Sequence, residues 1–359
     1  MSYFKLLEEI AQAKDLTEIS PKRGNELVKF YGNNRYEFRK FLKRGGESLI
    51  TLAYDNRLSQ EIVFKSALPI VMYDHVLGVE HTNEEAFFSH ANWQQIREKN
   101  PCAARFINGL LIQQMISKLV REEGAAVGYV PVVYEFNTTP GLFGVIEFIR
   151  AEELLDWITN RDKAEILGLF DKMLKLVAIL HHYQIIHSDL KHNNWLVLPD
   201  NRPVLLDFGI AKNLGVKNPL TVPGTPGMGN PLYSSARQLR YPERRNYQDD
   251  IHTLAKNLHV MWSGHEPHLP RYSFLRRSDN EKNFPSSIFP NGLDEIYFRA
   301  ISETDGERYE DIEDFLTDFE KFMATYGPPQ PTKNQGELER RLATLERLAA
   351  GVTKLLEDL

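Results

Sequence analysis

Two kinds of apolar spacing divide this chain. From Tyr36 to about Lys65, β-branched and aromatic residues lie on both sides of a turn-like "KRGGES", the composition of strands joined by a hairpin. "VPVVYEF" and "GLFGVIEFI", separated by "NTTPG", predict a second hairpin. From 152 to 184 the spacing is helical instead: Leu154, Leu155, Trp157 and Ile158, then Ile166, Leu167, Leu169, Met173, Leu176 and Ile179. Helical spacing also covers residues 1 to 19, where "SPKRGN" breaks it, and 83 to 123, where "KNPCAA" interrupts it. Residues 213 to 247, rich in Gly, Pro and Ser, read as a long functional loop. From Asp249 to Tyr326 the chain is mostly helical, and "YGPPQP" then forms a stiff linker. Strands first and helices later predict an α+β molecule with a small β-rich lobe, a larger helical lobe and a ligand cleft between them.

With 359 residues, 42% of them hydrophobic, the chain is long enough for two real cores. A net charge of −6 gives no general affinity for nucleic-acid phosphates. One cysteine, Cys102, excludes an internal disulfide framework and a cysteine-rich zinc site. No apolar run approaches the roughly 18 residues of a membrane span, and "MSYFKLLEEIAQAKDL" lacks a signal-peptide core. A cytoplasmic location is the expectation.

The stretch "IIHSDLKHNNWLVL" sets Asp189, Lys191 and Asn194 between two apolar runs. These three cannot share one face of a strand, so the spacing suits a curled loop. A carboxylate there can orient a hydroxyl and accept its proton. A lysine two residues on can neutralise charge developing on a transferred group. The amide oxygen of Asn194 is a hard ligand suited to Mg²⁺. Asp207, at the end of "PVLLDFG" and beside Gly209, offers a second.

"HSDLKHNN" and "DFG", in this order and at this separation, resemble the catalytic loop and metal-binding triplet of the protein-kinase superfamily. The resemblance implies a bilobal protein-kinase-like fold that binds ATP and Mg²⁺. It makes Asp189 the catalytic base, Lys191 the residue that steadies the γ-phosphate, and Asn194 and Asp207 the metal ligands. His187 packs near Phe208 by the same likeness. Upstream, Lys65 in "EIVFK" stands where the family's phosphate-binding lysine stands, with Val63 in place of a small alanine. Gly45 and Gly46 fill the glycine-loop slot, although Lys43 and Ser48 occupy positions where the family prefers glycine. "LFGVIEFI" resembles the hinge, with the Glu147 carbonyl and Ile149 N–H offered to adenine and Ile146 at the inner gate.

The resemblance covers roughly 36 to 325 and is thin at 66 to 130. It divides the chain into an N-terminal helical extension (1–35), a catalytic domain (36–326, lobes 36–148 and 149–326), a Pro-rich linker (327–334) and a C-terminal amphipathic helix (335–359). That last segment has a heptad seam of Leu338, Leu342, Leu345, Ala349, Val352, Leu356 and Leu359, a dimerisation or partner helix or one packed back on the helical lobe. "GNPLYSSARQ" resembles the substrate-docking segment, with Asn230, Ala236 and Arg237 where the family has threonine, proline and glutamate. Asp250 matches the acid that braces the catalytic loop. Arg308 matches the arginine that pairs with the missing glutamate, so another contact such as Glu243 must serve, or the register differs here.

Two departures bear on mechanism. Ser188 replaces the arginine that a phosphorylated activation loop holds in regulated members, so phosphorylation of the loop, at Thr221 or Thr225 for example, is not expected to be the switch. Lys65 needs a helix glutamate, and Glu84, Glu85 or a residue of 113–123 is open for that place. The leading expectation is a Ser/Thr protein kinase acting on protein substrates. A small-molecule or lipid-sugar kinase of similar fold and a non-enzymatic pseudokinase scaffold are the alternatives.

Overall fold

The structure, a computed structural model, describes residues 3–32, 34–45, 47–68, 101–137, 141–215, 229–266, 286–304 and 306–326. Gly46, Glu84, Glu85, Thr221, Thr225, the linker and the C-terminal heptads lie outside them.

Helices α1 (Tyr3–Gln12) and α2 (Pro21–Tyr31) come first. The breaker "SPKRGN" also starts a helix: Pro21 sits in the first turn of α2, where its missing N–H costs nothing. Strands β1 (Tyr36–Arg44), β2 (Ser48–Asp55) and β3 (Gln60–Ala67) follow as an antiparallel meander. After α3 (Pro101–Glu123), strands β4 (Val133–Asn137) and β5 (Phe143–Glu147) form the second hairpin and close a sheet of order β1-β2-β3-β5-β4. Helix α3 begins on Pro101, inside the "KNPCAA" where helical spacing was expected to break, and residues 83–100 lie outside the described ones.

Period-two geometry gives β3 two faces. Ile62, Phe64 and Ser66 are buried on one, and Val63 and Lys65 face the other way. The buried face packs against α1 and α2, whose Tyr3, Leu6, Leu7, Ile10, Leu27, Val28 and Tyr31 share one core with Phe64 and Phe143. Tyr31 Oη lies 2.6 Å from Ser66 Oγ, which satisfies both hydroxyls inside that core. Gly24 lets α2 approach β1: a Cβ there would come within 2.4 Å of the Phe38 ring.

The helical part follows with β6 (Glu152–Glu153), α4 (Leu154–Ile158), α5 (Lys163–His182), β7 (Ile185–Ile186), β8 (Trp195–Val197), β9 (Pro203–Leu205), β10 (Lys212–Asn213), α6 (Ala236–Arg240), α7 (Tyr247–Ser263), α8 (Leu293–Ile301) and α9 (Ile312–Tyr326). Capping boxes at Asp162/Glu165 and Asn246/Asp249 start α5 and α7, and Gly264 ends α7 in a left-handed conformation. These helices enclose a second core in which Phe170 of α5 meets Phe315 and Phe319 of α9 edge-on. The expected long loop over 213–247 contains α6, a five-residue helix capped by Ser235. Among the described residues no helix is long and apolar enough to cross a membrane.

Candidate active site

The segment between β7 and β8 is braced from α7. Asp250 accepts from the backbone N–H of His187 at 2.7 Å and of Ser188 at 2.7 Å. The His187 ring packs 4.8 Å from Phe208, with Nε2 3.1 Å from Leu206 O. Ser188 takes a left-handed φ of 68°, and its carbonyl accepts from Gln238 Nε2 at 2.7 Å. Asn257 of α7 also donates to Leu190 O.

That frame brings three predicted residues together. Lys191 Nζ lies 2.7 Å from Asp189 Oδ2. Asn194 Nδ2 donates to Asp189 O at 2.7 Å and to Oδ2 at 3.0 Å. Burial pushes the Asp189 carboxyl up, against the pull of Lys191, which makes it a better proton acceptor than a solvated carboxylate. The Asn194 amide nitrogen is engaged by Asp189, which leaves Oδ1 as the atom for a metal.

Asp207 follows β9 with a left-handed φ of 60°. Its Oδ1 meets Lys65 Nζ at 2.6 Å, a contact that joins the two lobes across the cleft. The Lys65 ammonium holds the Asp207 carboxyl well below the ordinary range, so it is charged at any working pH. Lys65 also lies 5.8 Å from the centre of the Phe106 ring on α3. Gln113 and Gln114, both considered as partners of Lys65, donate instead to Pro131 O and Val133 O. Glu123 accepts from Tyr183.

Helix α3 touches both lobes through consecutive residues. Leu110 packs on Gly144 of β5, where a Cβ would lie 2.8 Å from Leu110. A Cβ on Gly109 would lie 2.9 Å from both Gly209 Cα and Phe208 O, which are backbone atoms that cannot swing aside. Gly109→Ala is therefore expected to lower stability, because an overpacking cost of about 1–3 kcal/mol exceeds a helix-propensity gain of about 1 kcal/mol. Gly168→Ala on α5, where nothing lies within 4 Å, is the control and should stabilise by about 0.5–1 kcal/mol. Denaturant midpoints check this; equal shifts in both variants would remove the close contact from the account.

Gly45 donates to Ser48 O at 2.8 Å in the β1–β2 turn. Glu147 accepts from Tyr129 Oη and Val132 N through its carboxylate, and Ile146 is buried behind it. Arg237 and Arg308 do not face each other. Arg237 pairs with Asp249 at 2.8 Å, and Arg308 with Glu303 at 2.7 Å. Glu303 also accepts from Ala236 N at 3.0 Å and so fills the vacant place. The candidate Glu243 lies exposed beside Arg244, at 3.7 Å. Sequence reasoning missed Gln238, Asp249 and Glu303: Gln238 meets Ser188 from 50 positions away, Asp249 meets Ser235 from 14 and Glu303 meets Ala236 from 67, and α6 is too short to show a period.

A family model for the protein kinase domain matches residues 129–305, a span that starts after the first three strands. A "probable serine/threonine-protein kinase" of Clostridium acetobutylicum is 23% identical over 82% of this chain and 41% of its own length. Another of that description, PknB of Bifidobacterium longum, is 23% identical over 86% of this chain and 44% of its own length. A bifunctional serine/threonine-protein kinase and ubiquitin-protein ligase of Dictyostelium discoideum is 31% identical over 33% of this chain and 7% of its own. The chain thus spans less than half the length of these relatives. Sheet, helical lobe and the matched span agree: the chain belongs to the protein-kinase superfamily.

Proposed function

We propose that this chain transfers the γ-phosphoryl group of ATP, with Mg²⁺, to serine or threonine hydroxyls of protein substrates. The observation that carries this reading is the 2.6 Å meeting of Lys65 and Asp207 beside a loop that gathers Asp189, Lys191 and Asn194. The donor set fits Mg²⁺: a carboxylate held charged, and an amide whose oxygen is left by its own nitrogen's bonds. Magnesium held by Asn194 and Asp207 would neutralise phosphate oxygens. Asp189 takes the hydroxyl proton as the acceptor oxygen bonds to phosphorus and the bond to the ADP oxygen breaks. Lys191 sits beside Asp189 to offset charge on the group in transfer. Lys65 holds the nucleotide phosphates, and Glu147 and Ile149 hold adenine by main-chain groups; the Gly45 N–H is spent on Ser48 O, so Gly45 shapes the turn rather than donating to phosphate. Relatives named serine/threonine-protein kinases favour a protein hydroxyl over a small molecule. Incubation with γ-labelled ATP and Mg²⁺, followed by mapping of labelled residues, tests the reading. Equal label from the parent and Asp189→Asn would mean no catalysis here.

Order in the catalytic loop, on this proposal, does not wait for a phosphate. Ser188 brings no cation, both N–H groups at 187 and 188 are held by Asp250, and the Ser188 carbonyl is held by Gln238. Thr221→Ala combined with Thr225→Ala is expected to keep activity within about tenfold of the parent. A loss near a thousandfold in the labelled-ATP assay would end this part of the proposal.

A further inference from the structure

The catalytic loop carries a side chain that the transfer chemistry does not call on. His192 lies between Lys191 and Asn194, and its Nδ1 is 2.7 Å from Tyr233 Oη and 3.0 Å from Glu266 Oε1. Tyr233 Oη donates to the same Glu266 oxygen at 3.0 Å. With the phenol proton on the carboxylate, the phenol oxygen is left to accept from Nδ1–H, and this fixes the imidazole tautomer. Burial pushes the Tyr233 phenol up, so it keeps its proton to donate at neutral pH.

The three residues come from three separate places: the catalytic loop, the docking segment and the stretch that follows α7. Tyr233 is buried, and its neighbours in the segment are also tied. Lys256 donates to Leu232 O at 3.1 Å, and the amides of Tyr233 and Ser234 donate to Asn230 O. Gln238 joins the same region to Ser188 O, one residue before Asp189. The docking segment is therefore pinned to the catalytic loop on both sides of Asp189, by Gln238 before it and by His192 after it.

We infer that His192 is a positioning residue that sets the docking segment against Asp189 through Tyr233 and Glu266. This rests on the phosphotransfer reading only for its second readout. In hydrogen exchange on the full chain, His192→Phe and Tyr233→Phe should each speed the amides of 232–234 by about tenfold or more, with the amides of β3 unchanged. His192→Asn, whose side-chain nitrogen stands near the place of Nδ1, should restore most of the protection. Unchanged exchange at 232–234, an increase across the whole chain, or no rescue by asparagine would overturn the inference. With dephosphorylated casein as probe, His192→Phe should raise the KM for casein about tenfold and leave the KM for ATP in place. A fall in kcat with both KM values unchanged would also overturn it. A parent that labels no casein would count against the phosphotransfer reading, and the exchange result would still decide the role of His192.

Discussion

Asp207→Asn is expected to lower phosphoryl transfer by about a thousandfold or more while the fold stays in place. The amide keeps the shape of the side chain and removes its charge. Two functions of that charge go together. A neutral oxygen is a weaker ligand for Mg²⁺, and Lys65 loses the acid it meets at 2.6 Å. The Asp207 side chain is 46% exposed to the cleft, so no core cavity is opened. The thermal midpoint should move by no more than about 3 °C. Lys65→Met separates the two functions, since it leaves both proposed metal ligands and removes the phosphate contact; its KM for ATP should rise before its kcat falls. Initial rates over a Mg²⁺ titration make the measurement. An Asp207→Asn variant that keeps a tenth of the parent rate would remove Asp207 from the site.

The proposed site residues stood out because the groups that phosphoryl transfer would need lie in short reach of one another along the chain. Asp189, Lys191 and Asn194 lie within six residues, and one turn gathers them whatever the rest of the fold does. The strands and α5 were legible from their apolar spacing, which is set by which face is covered. Pro21 misled because a proline that stops a helix when it lies inside starts one when it lies at the first turn, and sequence spacing alone does not say which. The braces were hidden for a different reason. Gln238 on Ser188 and Glu303 on Arg308 and Ala236 depend on how α6 and α7 lie against the loop, and no local pattern encodes that placement. Gly109 left a faint signal, a glycine in a helix that carries no turn, but its meaning appears only with Phe208 and Gly209 against it.

Glu303→Ala is expected to destabilise the chain by about 3–5 kcal/mol, the cost of leaving a buried cation without its partner. Arg308 is the cation, with a side chain only 3% exposed and its Nη2 2.7 Å from the carboxylate. Lys256, also buried, is pushed down to about 7 by burial, and Glu303 is the group that opposes the shift. The N–H of Ala236 at the start of α6 loses its acceptor as well. Glu303→Gln retains an acceptor oxygen and loses only the charge, so it should cost less than alanine, and the difference between the two reads the charge itself. Lys256 gives the effect a pH signature. Below about pH 7 this lysine is protonated in the folded and unfolded chain alike and contributes no slope. Between there and its ordinary value of 10.5 the unfolded chain binds a proton that the folded chain has released, so stability gains with rising pH. In Glu303→Ala that gain should begin at lower pH, because the pull of Glu303 toward the charged lysine is gone, and in Lys256→Met it should vanish. Denaturant midpoints from about pH 6 to about pH 9 for the parent and the three variants check all of this. A Glu303→Ala variant within about 1 kcal/mol of the parent, with an unaltered slope, would mean that Arg308 and Lys256 reach solvent or another acid.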